Sequence, residues 1–407
     1  MFRWWVAWRF LVSEHKNNFL TTFLAIVGMA LGVASLVVAM AVVSGYEGTL
    51  KKSVIDIFGH LIVVKSGPPI QDFEAFEEKI RDKVPGVQGI TPFLYMEAIL
   101  AHHKKLTGVV VQGVDPSSVG KVLNLHKHLV QGDFQWGVQN GIPVAFVGKG
   151  LQKKYQLKLG DVFRVVIPSS DPYNVEKLRP RVQVFRVGGV LNFGRHDFDS
   201  RTLVTNLFTV QKMAQMKGRF VGVRIKFEDE RIVRKAAFLI EDLLGPSYWT
   251  KSWKQVNRNL FEAVKYEKVV IFLVVLIIVI AASFNISNAL LVSVLRKYRD
   301  IGVLKSFGGS DRFILGIFAR QGLLVGGLGA IMGVVLGLLA CWGFLWAQQI
   351  WPLIPGEVYK IDHISVEIRM LDLSLILGVS LLICFLSVLA PARRGARLLA
   401  VEGLRYE

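Results

Sequence analysis

Apolar residues are concentrated in four runs, each long enough to cross a membrane as a helix. The runs cover residues 19–43, 269–295, about 318–346 and 371–389. A spanning helix needs roughly 18 or more consecutive, mainly apolar residues. The apolar region of a secretory signal peptide has only about 7–15, so the first run is expected to be an uncleaved anchor.

The polar residues between the first two runs are numerous enough to form a domain with its own hydrophobic core. The pattern predicts an α-helical integral membrane protein with four transmembrane helices and a large mixed α/β domain between helices 1 and 2. The predicted segments are an interfacial helix at 1–18, transmembrane helices at 19–45, 269–295, 316–346 and 371–390, the large domain with helical stalks at 46–268, a coupling loop or helix at 296–315, a short loop at 347–370 and a tail at 391–407.

Local periodicity gives the elements of the large domain. Residues 72–84 and about 231–244 place apolar side chains on one helical stripe. Runs rich in β-branched residues predict strands at 59–64, 109–113, 143–147, 162–167, 183–190 and 221–227. The alternation of strands with helices favours βαβ units in part of the domain. Residues 46–58 and 256–268 are helix-like and continue the first two spans, which predicts stalks that carry motion outward.

The distribution of Lys and Arg predicts the orientation of the chain, because both are enriched in short cytoplasmic loops. Three short segments are basic: Arg3, Arg9 and Lys16; Arg296, Lys297, Arg299, Lys305 and Arg312; Arg393, Arg394, Arg397 and Arg405. The short segment expected on the other side carries only Lys360 and Arg369. Both termini and residues 296–315 are therefore predicted to be cytoplasmic, with the large domain outside.

The chain has a formal net charge of +18. The large domain contributes to it, with 34 Lys and Arg residues against 22 Asp and Glu. Such a surface is either simply solvated or meets an acidic partner or anionic lipid head groups. Nucleic acid is not an expected ligand for a domain held outside a cytoplasmic membrane.

No motif in the sequence indicates chemistry on this chain. Val147-Gly-Lys-Gly150 resembles part of a phosphate-binding loop, but no Ser or Thr follows Lys149 and the complete motif does not occur. His102-His103 and His196-Asp-Phe-Asp199 lack the context of a metal site, and a structural or solvated role is expected for them. Cys341 and Cys384, the two cysteines, lie in predicted spans, so no disulfide framework is expected. We predict no catalytic residue, no metal and no cofactor.

Small and polar residues in the spans predict helix packing. Glycines recur at short, helical spacings, which lets another helix approach closely; they are Gly28 and Gly32 in the first span and Gly322, Gly326, Gly329, Gly333 and Gly337 in the third. Asn285 and Asn288 in the second span need hydrogen-bond partners away from lipid. They are expected to fix packing between helices or, alternatively, to line a polar substrate path.

Several motifs resemble those of the lipoprotein-releasing ABC permeases of Gram-negative bacteria, within a wider family that includes macrolide exporters and cell-division permeases. In the large domain and at the second span they are Gln112-Gly-Val-Asp-Pro116, Val147-Gly-Lys-Gly-Leu151, Leu159-Gly-Asp161, Phe198-Asp-Ser200, Ala263-Val-Lys-Tyr-Glu-Lys268 and Phe284-Asn-Ile286. Near the C terminus they are Tyr359-Lys-Ile-Asp362, Ile364-Ser-Val366, Pro391-Ala-Arg-Arg-Gly-Ala-Arg397 and Val401-Glu-Gly-Leu-Arg405.

Residues 296–310, Arg-Lys-Tyr-Arg-Asp-Ile-Gly-Val-Leu-Lys-Ser-Phe-Gly-Gly-Ser, are similar to the cytoplasmic segment with which such a permease docks into a separate ATPase. The resemblance implies a contact set of Arg299, Ile301, Gly302, Leu304, Lys305, Phe307 and Gly308. Ile301, Leu304 and Phe307 are expected to make the apolar contacts, and Arg299 and Lys305 to supply charges at the rim. ATP and magnesium would then bind to the partner ATPase and not to this chain.

The family resemblance also implies an assembly of two ATPase subunits and two permeases, the second permease being the same chain or a paralogue. The machine would sit in the inner membrane, take up lipoproteins from its outer leaflet and pass them to a periplasmic carrier. Apolar residues of spans one and two would shelter the lipid anchor; these are Val37, Met40, Val43, Val269, Phe272 and Leu276.

A carrier-binding hairpin is expected by position at residues 168–180, although this segment does not match a recognisable hook sequence. The expected contacts are Pro168, Tyr173, Arg179, Pro180 and Arg181. An ordinary surface hairpin is the alternative. Two other functions stay open: a permease that regulates a periplasmic cell-wall hydrolase, and an exporter of drugs or toxins from the periplasm.

Overall fold

The computed structural model describes residues 4–7, 9, 16–103, 105–167, 181–350 and 365–398. Within them, four helices are long and apolar enough to cross a membrane: Leu20–Phe58, Arg258–Arg296, Asp311–Gln348 and Met370–Ala396. The described residues form two compact units, a membrane unit within residues 1–48, 262–350 and 365–398 and an outer unit within residues 49–261. The predicted fold class, four spans with a large mixed α/β domain between the first two, is confirmed.

The helices are, in chain order, α1 Lys16–Phe58, α2 Phe73–Lys83, α3 Val119–Val122, α4 Leu125–His128, α5 Lys149–Tyr155, α6 His196–Asp199, α7 Leu207–Ala214, α8 Val233–Leu244, α9 Trp253–Val256, α10 Arg258–Arg296, α11 Tyr298–Ser306, α12 Asp311–Ile350 and α13 Met370–Ala396. The strands are β1 Leu61–Lys65, β2 Val87–His102, β3 Lys105–Val114, β4 Leu129–Gly132, β5 Val138–Gln139, β6 Ile142–Gly148, β7 Val162–Ile167, β8 Arg181–Leu191, β9 Thr202–Asn206, β10 Gly222–Phe227 and β11 Tyr248–Ser252.

The membrane unit is held together mainly by one large hydrophobic cluster drawn from α1, α10, α11, α12 and α13. Leu36, Val279 and Phe318 are almost completely buried in it. The lipid-facing side of α10 is as apolar as its packed side, with Leu273 and Ile277 more than half exposed. A helix that is apolar all round is the pattern of a membrane span.

The glycines of α12 contact two different helices. Cβ atoms added at Gly322 and Gly326 would meet Val388 and Cys384 of α13. Cβ atoms added at the next three glycines would meet α1: the atom would lie 2.8 Å from Met29 Cβ for Gly329 and 2.7 Å from the Cβ atoms of Val33 and Val37 for Gly333 and Gly337. The three-residue step between Gly326 and Gly329 thus divides the glycine series between the two neighbouring helices.

Replacing Gly329 with alanine is expected to destabilise the membrane unit by about 1–3 kcal/mol, the usual cost of overpacking a close contact. The new methyl group would also lie 3.1 Å from the carbonyl oxygen of Ile26. Gly343→Ala in the same helix is the matched control, because no atom lies within 4 Å of its added Cβ. Thermal unfolding of the detergent-solubilised protein should show a lower midpoint for Gly329→Ala only. Equal midpoints would show that α1 and α12 do not pack closely.

The outer unit is built on one mixed sheet with the strand order β11-β1-β10-β2-β3-β9-β6-β8-β4. Strand β7 pairs with both β2 and β8, so β2, β3, β9, β6, β8 and β7 close into a ring. Most pairs are antiparallel, and only β3·β9 and β6·β8 are parallel among the described strands. The sequence predicted the alternation of strands and helices, but the sheet is mainly antiparallel and not a series of βαβ units.

Three hydrophobic cores lie on this sheet among the described residues, one of them around Phe146, Leu191 and Phe193. The interior of the ring is filled by side chains such as Leu100, Phe163 and Phe185, all almost completely buried. A second core packs α2 and α8 against β1 and β10, with Ile80 and Ile240 fully buried. The apolar stripes predicted for these two helices therefore face the sheet.

The glycines of the Val147-Gly-Lys-Gly150 motif allow a close backbone contact and do not form a phosphate site. A Cβ at Gly148 would collide with the backbone of Asp199, and one at Gly150 would lie 2.9 Å from Ser200 Cα. The buried Asp199 carboxylate accepts hydrogen bonds from the backbone N–H groups of Phe193 at 3.0 Å and Arg195 at 3.1 Å. The two motifs are far apart in the sequence but pack directly against each other in the structure.

Candidate coupling surface and outer polar cluster

Helix α11 connects two spans and has a sharply defined end. The N–H of Gly308 donates to the carbonyl of Lys305, and the N–H of Gly309 donates to the carbonyl of Leu304, both at 2.9 Å. This pair of hydrogen bonds is a Schellman motif. It requires positive φ at Gly308, where φ is 91°. The motif ends the helix and leaves Phe307 at its tip.

The structure divides the expected ATPase contacts into two groups. Arg299 and Phe307 are exposed, Phe307 to 86%, and Val303 lies between them on the same face. Ile301 is fully buried in the core of the membrane unit and Gly302 is also buried. The resemblance implied an apolar contact to the ATPase for Ile301, but in this structure its side chain packs inside the chain's own hydrophobic core.

Lys305 also has a different environment from the one expected. Its ammonium group donates to the carbonyl oxygens of Ala396 and Leu398, both at 2.6 Å, and pairs with Asp311 at 2.7 Å. Its side chain is only 13% exposed. Lys cations near the C terminus of a helix satisfy its last carbonyl groups. Lys305 therefore ties α11 to the end of α13, and its charge is not available at the rim.

The N-terminal segment packs against this region. Val6 and Ala7 are buried against Ile317, with Leu304 of α11 partly buried beside them. The guanidinium of Arg320 lies 5.6 Å from the centre of the Trp4 ring, a cation–π contact. The described part of residues 1–18 is helical at 4–7 and 9.

A group of charged and polar side chains, the outer polar cluster, joins the other ends of three spans. Lys268 Nζ lies 2.9 Å from Asp372 Oδ2 and 3.0 Å from Ser44 Oγ, and the Ser44 hydroxyl donates to the same carboxylate oxygen at 2.9 Å. Ser44 is fully buried, and the Lys268 and Asp372 side chains are about one-fifth exposed. The three groups satisfy one another where the apolar runs of α1, α10 and α13 end on the side of the outer unit.

A second ion pair continues the cluster. Arg369 Nη1 contacts Glu47 Oε2 at 2.8 Å, and Nη2 lies 3.5 Å from Glu367. Burial lowers the pKa of Arg369, but the hydrogen bonds and charges of Glu367 and Glu47 outweigh it and raise this pKa above its ordinary value. The backbone N–H of Glu367 donates to the Ala41 carbonyl at 3.1 Å. The segment before α13 is thus bound to the end of the first span.

The six residues expected to shelter a lipid anchor do not share one environment. Val37 and Met40 are buried in the core of the membrane unit, so in this chain they pack against other helices. Val43, Phe272 and Leu276 are partly buried, and Val269 is 50% exposed. One continuous exposed apolar surface lies on α10; it consists of Val269, Val270, Leu273, Val274, Ile277 and Ile278.

Asn285 and Asn288 are exposed on α10 and so do not lie in the buried core of the chain. The nearest feature is Gly28, whose added Cβ would lie 3.8 Å from Asn285 Nδ2. An amide on a lipid-facing surface needs a polar partner. Neither predicted role, fixing packing between helices or lining a polar path, is settled by this exposed position.

The remaining predictions concern the carrier-binding hairpin and metal sites. Pro168, Tyr173, Arg179 and Pro180 lie outside the described residues, while Arg181 is exposed at the start of β8. In the described part of the chain no group of three or more His, Cys, Asp or Glu residues is arranged to hold a metal ion.

Comparison with known proteins is consistent with this architecture. Residues 22–243 match the family described as MacB-like periplasmic core domain, and residues 272–399 match the FtsX-like permease C-terminal family. The chain is 27% identical to the lipoprotein-releasing system transmembrane protein LolC of Neisseria meningitidis, with 99% of each chain covered. It is 28% identical to LolC of Xylella fastidiosa, covering 99% of this chain and 98% of that protein.

A further relative is the lipoprotein-releasing system transmembrane protein LolE of Haemophilus influenzae, 25% identical over 97% of this chain and 96% of that protein. The two family matches together cover most of the outer unit and most of the last three spans. The chain therefore belongs to the MacB/FtsX-type permeases and is the membrane-spanning, non-enzymatic subunit of an ABC transporter.

Proposed function

We propose that this permease extracts lipoproteins from the outer leaflet of the inner membrane and passes them to a periplasmic carrier, driven by a separate ATPase that binds ATP and magnesium. The observation that carries the proposal is the full-length similarity to proteins named LolC and LolE. Both termini and α11 would be cytoplasmic, as the basic residues of the short segments indicate.

The physical problem fits the parts of this chain. Each CH₂ group of a buried acyl chain contributes roughly 0.8 kcal/mol to membrane binding, so a multiply acylated anchor does not leave a bilayer at a useful rate without work. The exposed apolar surface of α10 supplies a place where acyl chains can lie during extraction. Asn285 and Asn288, exposed on the same helix, fit contacts with a second permease subunit.

Reconstitution tests the proposal. The chain is placed in proteoliposomes with its ATPase, any second permease subunit and a triacylated lipoprotein, and soluble lipoprotein is measured with and without carrier and ATP. We expect release only when both are present. A control lipoprotein that lacks acyl chains should not stimulate ATP hydrolysis. It should be soluble whether or not the permease is present. If a cell-wall hydrolase or a drug stimulates ATP hydrolysis by the complex while no lipoprotein is released, the proposal is contradicted.

A further inference from the structure

The outer unit contains a groove that none of the roles above uses. Its volume is about 400 Å³, within the range of roughly 300–1,000 Å³ that is typical of small-molecule sites. It lies on the sheet face formed by β11, β1, β10, β2 and β3, and α6 and α9 also contribute to it. Aromatic and aliphatic side chains dominate the lining, among them Val64, Phe93, Tyr95, Phe198 and Trp249.

Arg224 of β10 lines this groove and is buried, with 3% of its surface exposed. One guanidinium nitrogen, Nη2, donates to Gln112 Oε1 at 3.0 Å, and the group lies 4.7 Å from the centre of the Phe93 ring. Nε and Nη1 have no hydrogen-bond partner among the described residues. A buried cation with unmatched donors is costly to maintain.

No carboxylate of the described chain pairs with Arg224. Burial lowers the pKa of this guanidinium to about 10, so the group is still charged at neutral pH. Other charges at the groove are those of Arg201, Lys251 and Asp197, which leaves a positive balance. The groove therefore combines an apolar lining with an excess of positive charge. Its buried cation, Arg224, has two hydrogen-bond donor atoms without a partner among the described residues.

A planar guanidinium matches a carboxylate, because two N–H groups can bind its two oxygens side by side. We propose that this groove binds a single-chain carboxylate amphiphile of the size of a medium-chain fatty acid, with its carboxylate on Arg224 and its chain along the aromatic lining. One buried guanidinium fits a single negative charge. The acyl chains of a lipoprotein anchor are attached through ester or amide bonds and carry no free carboxylate, so this ligand differs from the transported one and the site does not depend on the proposed function.

Binding requires a small rearrangement of the lining. Nε and Nη1 are covered by neighbouring atoms in the unliganded groove. The Phe93 ring beside the guanidinium is 4% exposed and stays in place, whereas the lining residues Tyr95 and Trp249 are 55% and 37% exposed, so their rings can turn to widen the groove without displacing the core. Rotation of exposed side chains takes only picoseconds to nanoseconds and needs no change in the sheet.

The test uses the full-length chain in lipid nanodiscs and a decanoate probe that carries a photoreactive diazirine on its chain. Labelled peptides are mapped by mass spectrometry, with empty nanodiscs correcting for partition into lipid. We expect labelling of the segments containing Phe93, Tyr95 and Trp249, and displacement by unlabelled decanoate at concentrations about tenfold or more below those needed for decanol. Labelling confined to the spans, or equal competition by the acid and the alcohol, would overturn the proposal.

Two variants separate the charge from the apolar lining. Arg224→Leu should remove the preference for decanoate over decanol, while Arg234→Leu, at an exposed position on α8, should keep it. Trp249→Ala, which changes an exposed lining residue and preserves Arg224, should weaken both competitors by similar factors even if Arg224→Leu does not fold. A wild-type preference in folded Arg224→Leu, or loss of the preference in Trp249→Ala, would show that the guanidinium does not bind the acid.

Discussion

Replacing Phe307 with alanine is expected to lower the affinity of the permease for its ATPase about 30-fold, the effect of removing an aromatic anchor from an interface. The side chain is 86% exposed at the end of α11 and has almost no role in the core of its own chain. The thermal unfolding midpoint of the isolated permease should therefore be unchanged. Copurification of the ATPase with the detergent-solubilised permease, titrated with ATPase, measures the affinity.

Two comparison variants in the same helix make this result specific. Ile301→Ala should lower the unfolding midpoint, because a fully buried side chain loses its packing at a cost of about 2–5 kcal/mol. Ser306→Ala, an exposed neighbour of Phe307, should change neither stability nor ATPase binding beyond the small loss of its hydrogen bond to the Val303 carbonyl. If Phe307→Ala binds the ATPase with normal affinity, the tip of α11 is not the docking surface.

The contrast between Phe307 and Ile301 shows what sequence reasoning could reach. The length of the apolar runs is a local property, and it was enough to predict the four spans and the large domain. A short coupling segment between two of them, a loop or helix at 296–315, was also predicted from its position and resemblance, and helix α11 lies within it. Which of its apolar side chains faces a partner depends on neighbours from α12 and α13, and these neighbours are brought there only by folding.

The same distinction applies to the outer unit and to the glycines. The positions of several strands followed from β-branched runs, but the pairing of β3 with β9 joins residues about 90 positions apart and leaves no local signal. The glycine spacing in α12 predicted a close seam. It did not predict that Gly326 faces α13 while Gly329 faces α1, because the identity of the opposing helix is set by tertiary packing.

The outer polar cluster was also beyond sequence reasoning, since Lys268 and Asp372 are 104 residues apart. Its geometry has a mechanical consequence for a transporter. Each hydrogen bond to a charged group contributes about 1.5–3 kcal/mol to stability. Lys268, Ser44 and Asp372 tie α1, α10 and α13 to one another, and we expect a stroke that moves one of these spans to move the others with it.

Replacing Asp372 with asparagine, which is similar in shape and uncharged, is expected to uncouple the transporter. Lys268 then loses its counter-ion in a position that is only one-fifth exposed. We expect the equilibrium between spans joined by this contact and spans that have separated to shift about 10- to 30-fold toward separation. Lipoprotein release in the reconstituted system should fall at least as much, while ATP hydrolysis continues. Lys265→Met is the matched control, since Lys265 is exposed one turn earlier on α10 and its loss should have little effect.

The charge-swapped double variant Lys268→Asp with Asp372→Lys decides whether the pair itself matters. An interaction between the two side chains should make the double variant more active than either single one, because opposite charges again face each other and the Ser44 hydroxyl can bond to either group. If the losses of lipoprotein release are strictly additive in this double-mutant cycle, or if Asp372→Asn releases lipoprotein normally, the three spans do not need this ion pair in order to move together.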